Sequence, residues 1–313
     1  MACKARRGLP RGYKTGKLPR HLHSKLQSTK WSRIGWQGLV IPVPADWHLG
    51  CVQGTREKGY LRLDDDDSPR AEIRWEPPAG RRDTFERIAD RMVAQMEKLG
   101  RKKGSRFTVR RGIPLPAPPG RDFEAFETRG ETGNSVGCLT RCQHCGRIVL
   151  GRVLGRKIDE LKRLAGRMFA ALVDHPGDDG LDLWDVFDLR FALPPEFLLQ
   201  QTRMRTGALE LLFDTRKKQL DIRRLGLASI VLRDRSLRNF FVNYCYNDLR
   251  AFDYSAEEIT VKEHQGVGLT GGGLLRQARV HRAEPDDVPL GGGQLGERAA
   301  EVLGGSGAPG RDP

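Results

Sequence analysis

The segment Cys138-Leu-Thr-Arg-Cys142-Gln-His-Cys145-Gly146-Arg147 holds three of the six cysteines within eight positions. Thiolates are soft metal ligands. Two of them spaced by two residues, with a glycine next, can turn tightly enough for both sulfurs to reach one zinc ion at about 2.3 Å. Cys138 is the candidate third ligand and His144 an alternative. A closed tetrahedral site needs a fourth donor, from Cys51, Cys245 or His264 or from another chain. The flanking Arg141 and Arg147 should favour the thiolate forms. The competing expectation is a hairpin end that carries reduced thiols and no ion.

Other chemistry is not signalled. There is no G-x-S-x-G, Walker A or H-E-x-x-H pattern, and no G-x-G-x-x-G after a strand. The run Gly266–Gly273 lacks the lysine and the helix that make a phosphate loop. These observations favour a binding or scaffold protein over an enzyme. The 313 residues carry 54 Lys and Arg against 40 Asp and Glu, a net charge of +14. Such a balance attracts anionic partners, nucleic acid first. The candidate contacts are Lys4, Arg6, Arg7, Arg11, Lys14, Lys17 and Arg20 in a basic arm. Arg101, Lys102, Lys103 and Arg106 form a second patch, with Phe107 beside them for stacking.

The elements that must position these residues follow from periodicity. Residues 1–30 contain no acid and read as a disordered arm. Leu39, Ile41 and Val43 alternate as a strand that ends in a proline turn; residues 59–63 and 71–75 are two more, around the acidic turn Asp64–Asp67. Phe85, Ile88, Ala89, Met92 and Met96 share one face of a helix over 84–99, with Asp83 as N-cap and Gly100 as its end. Strands follow at 107–111, 123–127 and 147–153, then a helix over 158–173. Residues 176–183 form a linker. Leu189, Phe191 and Leu193, then 207–211, 221–223, a helix from Leu237 and a strand at 259–263 restate the first pattern in order.

The predicted fold is therefore α+β, a tandem duplication of an antiparallel-sheet-plus-helix unit. Its expected bounds are 31–175 for the first copy, 184–264 for an incomplete second, and 265–313 for a flexible Gly-rich tail in which 295–303 is a remnant helix. The phrase Ile41-Pro-Val-Pro-Ala-Asp-Trp47 resembles the opening of PsbP-like domains. That resemblance implies an α+β fold and a role in binding proteins or small ligands. Cys142-Gln-His-Cys145-Gly-Arg147 resembles a zinc knuckle, which implies a structural Zn site. The C-x₃-C-x₂-C spacing also resembles the radical S-adenosylmethionine signature, which implies an iron–sulfur cluster. The alternating strands and helices of that family's barrel are missing here.

No apolar run approaches the roughly 18 residues needed to span a bilayer. The basic start has no apolar stretch behind it and does not read as a secretory signal. The first acid is Asp46, as in a transit peptide, yet the start is rich in Gly and Pro and lacks an amphipathic pattern. The expectation is a cytoplasmic protein with a protein partner.

Overall fold

The computed structural model describes residues 30–80, 83–102, 106–176, 179–250, 253–261, 264–273, 276–283 and 300–305. The chain divides into two compact units. The first runs to Gly35 and from Leu39 to Asp174; the second takes Trp36–Gly38 and the chain from His175.

The first unit contains β1 (Trp31–Trp36, whose last residue belongs to the second unit), β2 (Leu39–Pro44), β3 (His48–Gly54), β4 (Gly59–Asp64) and β5 (Pro69–Glu76). It continues with α1 (Phe85–Lys102), β6 (Phe107–Arg111), β7 (Arg121–Gly130), β8 (Gly133–Cys142), β9 (Ile148–Gly155) and α2 (Ile158–Ala170). Its main sheet is antiparallel, in the order β3-β4-β5-β9-β8-β7-β6. The two-residue period of a strand sorts its faces. On β5, Ala71, Ile73 and Trp75 are buried while Arg70, Glu72 and Arg74 point the other way. On β9, Val149, Gly151 and Val153 share the buried face, with Ala71 opposite Val153 and Ile73 opposite Gly151.

Helix α2 covers that buried face. It buries Leu161, Leu164, Ala165, Met168 and Phe169, and the Phe169 ring lies where a side chain on Gly151 would be. Helix α1 packs one end of the opposite face, where Ile88 and Ala89 meet Leu139 and Ile148. Its start differs from expectation. Thr84 Oγ1 accepts from Arg87 N at 3.4 Å and takes the capping position. Asp83 instead receives Arg91 through both carboxylate oxygens, at 2.9 and 3.0 Å. Gly100 does not end the helix; it leaves room for the Phe107 ring. The acidic run is a turn, as expected: Asp65 Oδ1 accepts from Asp67 N at 3.0 Å and Ser68 N at 2.7 Å.

The second unit contains β10 (Asp182–Val186), β11 (Leu189–Leu193), β12 (Leu198–Arg205), β13 (Ala208–Asp214), β14 (Lys218–Leu225), α3 (Ala228–Val231), α4 (Leu237–Tyr244) and α5 (Tyr246–Leu249). It closes with β15 (Asp253–Val261), β16 (His264–Gly273), β17 (Arg276–Ala283) and β18 (Ala300–Gly305). The sheet order is β12-β13-β14-β18-β17-β16-β15. Leu237, Phe241, Cys245, Val267 and Leu269 form one core cluster. Trp184 stacks edge-on against Trp36 at 5.2 Å and against Phe213 at 4.8 Å.

The expected fold class is overturned. Among the described residues strands make up 51% and helices 19%, so the fold is sheet-rich and not a repeated unit of sheet plus helix. Where the first unit has an 18-residue helix, the second has pieces of 4, 8 and 4 residues. No described helix follows β15. The expected tail is also corrected. Residues from 265 onward supply most of β16 and all of β17 and β18, and Ala300–Gly305, of which 300–303 were expected in a remnant helix, pairs with both β14 and β17. The expected linker likewise gives up Asp182 and Leu183 to β10. Among the described residues no helix is long and apolar enough to cross a membrane.

Candidate functional site

The cysteine segment is the hairpin between β8 and β9. Cys142 N donates to Arg147 O at 3.0 Å and Gly146 N to Cys142 O at 2.9 Å. Gly146 takes φ +72°, a left-handed conformation that glycine accepts without a Cβ penalty. The turn brings the Cys142 and Cys145 thiols close enough to interact, and the Cys145 sulfur lies 3.8 Å from Asp174 Oδ2. Cys142 is buried and Cys145 partly exposed.

Cys138 does not join them. It sits four residues up the same strand, paired with Ala125 and Gly151. At a rise of about 3.3 Å per residue it is roughly 13 Å from Cys142 along β8, too far to share an ion. Its thiol is fully buried, and burial pushes its pKa up. The expected fourth ligands also fall away. Cys51 is disulfide-bonded and offers no thiolate, and Cys245 packs in the second unit's core. The side chain of His264 lies outside the described residues, and His144 is exposed on the turn.

Charge at this end of the first unit is arranged around Asp174, which no sequence motif marks. Arg121 donates to both its carboxylate oxygens, at 2.5 and 3.0 Å. Arg147 donates to its backbone carbonyl at 3.1 Å and lies over the Trp75 ring. At Cys145 the expected activation by flanking arginines is outweighed. Arg141 is held by Asp122 at 2.7 Å. Burial, reinforced by the Asp174 charge and the neighbouring Cys142, pushes the Cys145 thiol up to about 11. Burial also lowers the Arg147 pKa.

A second feature lies on the opposite face of the same sheet. A cavity of about 800 Å³ opens beside α1, over β5 and β9 and under the β7–β8 turn. Its wall carries Arg70, Arg74, Arg106, Arg152, Arg156 and Lys157 against two acids, Glu72 and Glu160. Glu72 is already engaged: Arg152 donates to it at 2.5 and 2.8 Å and Tyr60 Oη at 3.1 Å. Arg74 stands over the Tyr60 ring. Among the described residues no carboxylate pairs with Arg106, Arg156 or Lys157. Met96, Phe107, Leu150 and Leu154 supply the apolar part of the lining.

Of the basic residues singled out in the sequence, Arg106 lies in this wall. Arg101 and Lys102 are at the end of α1. Lys4, Arg6, Arg7, Arg11, Lys14, Lys17, Arg20 and Lys103 lie outside the described residues. Farther along the patch, Arg111 is neutralised by Glu124 and Asp90, and Arg110 faces the buried Glu127 at 3.8 Å. The other converging cations come from β5, β9 and the two residues that precede α2. The alternation of Arg70, Glu72 and Arg74 puts all three on one face, and that was the available signal.

No protein-family model matches the chain, and no curated protein matches it. Among solved structures, the T6SS immunity protein TplEi from Pseudomonas aeruginosa, complexed with "L" peptide, aligns over 90% of each chain. The identity is 11% and the TM-score 0.36, a level of likeness that carries no argument here.

Proposed function

We propose that the chain is a non-catalytic binding protein whose first unit receives an acidic segment of a protein partner in the cavity beside α1. The surplus of cations over acids in one concave lining carries this reading. Charges of one sign in a cleft with low-dielectric walls raise the local concentration of an oppositely charged ligand. Among the described residues no carboxylate has to be displaced from Arg106, Arg156 or Lys157, and the guanidinium fork matches a carboxylate. The apolar lining accommodates a hydrophobic side chain between acidic ones, the mix typical of a recognition pocket.

One observation favours a second reading, a nucleic-acid strand at the same place. Arg106 and Phe107 adjoin on the wall, a cation and a ring of the kind single strands use. Glu72 and Glu160 weigh against it, because each would face a phosphate backbone. The test is fluorescence anisotropy of the full chain with two labelled probes, a peptide alternating Glu and Leu and a single-stranded oligonucleotide. Peptide binding that weakens with salt and is lost in R156E/K157E supports the proposal. Oligonucleotide binding alone supports the second reading.

A further inference from the structure

We propose that Cys142, Cys145 and Asp174 form a structural zinc site that ties the β8–β9 hairpin to the chain leaving α2. The donors converge. The Cys142 sulfur and an Asp174 carboxylate oxygen lie within 4.8 Å of each other, the Cys145 sulfur is 3.8 Å from Asp174 Oδ2, and the two thiols are close enough to interact across the turn. Around a tetrahedral zinc, with bonds of about 2.3 Å to sulfur and 2.0–2.2 Å to oxygen, donors stand about 3.5–3.8 Å apart. The Cys145–Asp174 spacing already matches, and the Cys142–Asp174 spacing would close by about an ångström. Gly146, in the left-handed region, permits the tight turn that contains the two cysteines.

Two thiolates and one carboxylate select a borderline-soft ion over magnesium or calcium, and tetrahedral S-rich geometry is that of zinc. Arg121 does not exhaust Asp174. A carboxylate offers about four lone-pair sites, and the guanidinium fork uses two. The charge also balances. Binding releases the two thiol protons to solvent and admits one divalent cation, so the local charge beside Arg121 and Arg147 is unchanged. Cys142 is 3% exposed and Asp174 2%, the burial of a structural site. The ligand set differs from the one the sequence implied, with Asp174 in place of Cys138. The proposal is independent of what the cavity binds.

The experiment is elemental analysis of the full chain after dialysis against buffer containing zinc and then buffer free of it. Cobalt(II) loading reports thiolate ligation by its charge-transfer absorption. The expected result is one zinc per chain, retained in Cys138→Ala and reduced at least tenfold in affinity in Cys145→Ser. Cys145 is partly exposed, and circular dichroism confirms that this variant is folded. A folded wild-type chain without stoichiometric zinc overturns the proposal. So does zinc that survives Cys145→Ser, or a Cys142–Cys145 disulfide found in the purified protein.

Discussion

Arg121 and Asp174 form a doubly hydrogen-bonded ion pair across 53 positions of sequence, with side chains 3% and 0% exposed. It links the first residue of β7 to the residue that leaves the first unit. A buried pair of this kind adds little over a well-packed apolar pair, but breaking it strands a charge. Arg121→Met is therefore expected to cost about 3–5 kcal/mol, and R121M/D174L much less than the single change. Urea denaturation with chelator present, so that no ion contributes, checks both.

Gly151 and Phe169 define how closely α2 approaches the sheet. A Cβ on Gly151 would collide with the Phe169 ring. Gly151→Ala should destabilise the first unit by about 1–3 kcal/mol, the range for overpacking a filled core. Adding Phe169→Leu should recover part of that loss. Thermal melts of the wild type, both single variants and the double variant measure the coupling.

The Tyr60–Glu72–Arg152 cluster predicts pH dependence at both ends. Burial alone would raise the Glu72 pKa, but Arg152, Tyr60 and Arg74 outweigh it and hold the carboxyl below its usual value. A depressed carboxyl stabilises the fold above the unfolded value of about 4.3, and that contribution is lost as pH falls through the folded value. Tyr60 is pushed up to about 12 by burial and then by Glu72. Its neutral form is favoured in the fold, so stability is lost as pH rises from about 10 toward 12. Glu72→Gln should flatten the acid limb of a stability–pH curve, and Tyr60→Phe the alkaline limb. Denaturation midpoints across pH 3–12 read both limbs at once.

The sequence revealed elements whose pattern is local. Leu39, Ile41 and Val43 alternate and are buried, and the apolar stripe from Phe85 to Met96 lies on α1. It failed where glycine erases the pattern. In β16, His264-Gln-Gly-Val-Gly-Leu-Thr-Gly-Gly-Gly273, two buried apolar side chains mark the strand. The composition reads as a tail, although pairing with β15 and β17 specifies the strand. The cysteine spacing misleads for a related reason. Spacing in sequence says nothing of direction, and a fully extended β8 carries Cys138 away from the turn. Asp174 was invisible because its partners, Arg121 and the two thiols, are remote in sequence and meet only when the sheet forms.

The cavity beside α1 is proposed to bind acidic segments. The most direct measurement is titration calorimetry of the full chain against the alternating Glu–Leu peptide at two salt concentrations, repeated with R156E/K157E. Saturable one-to-one binding is expected, weaker at high salt, and at least tenfold weaker when the two cations are reversed while the thermal melt stays unchanged. Binding of equal strength to the variant, or no binding at low salt, would contradict it.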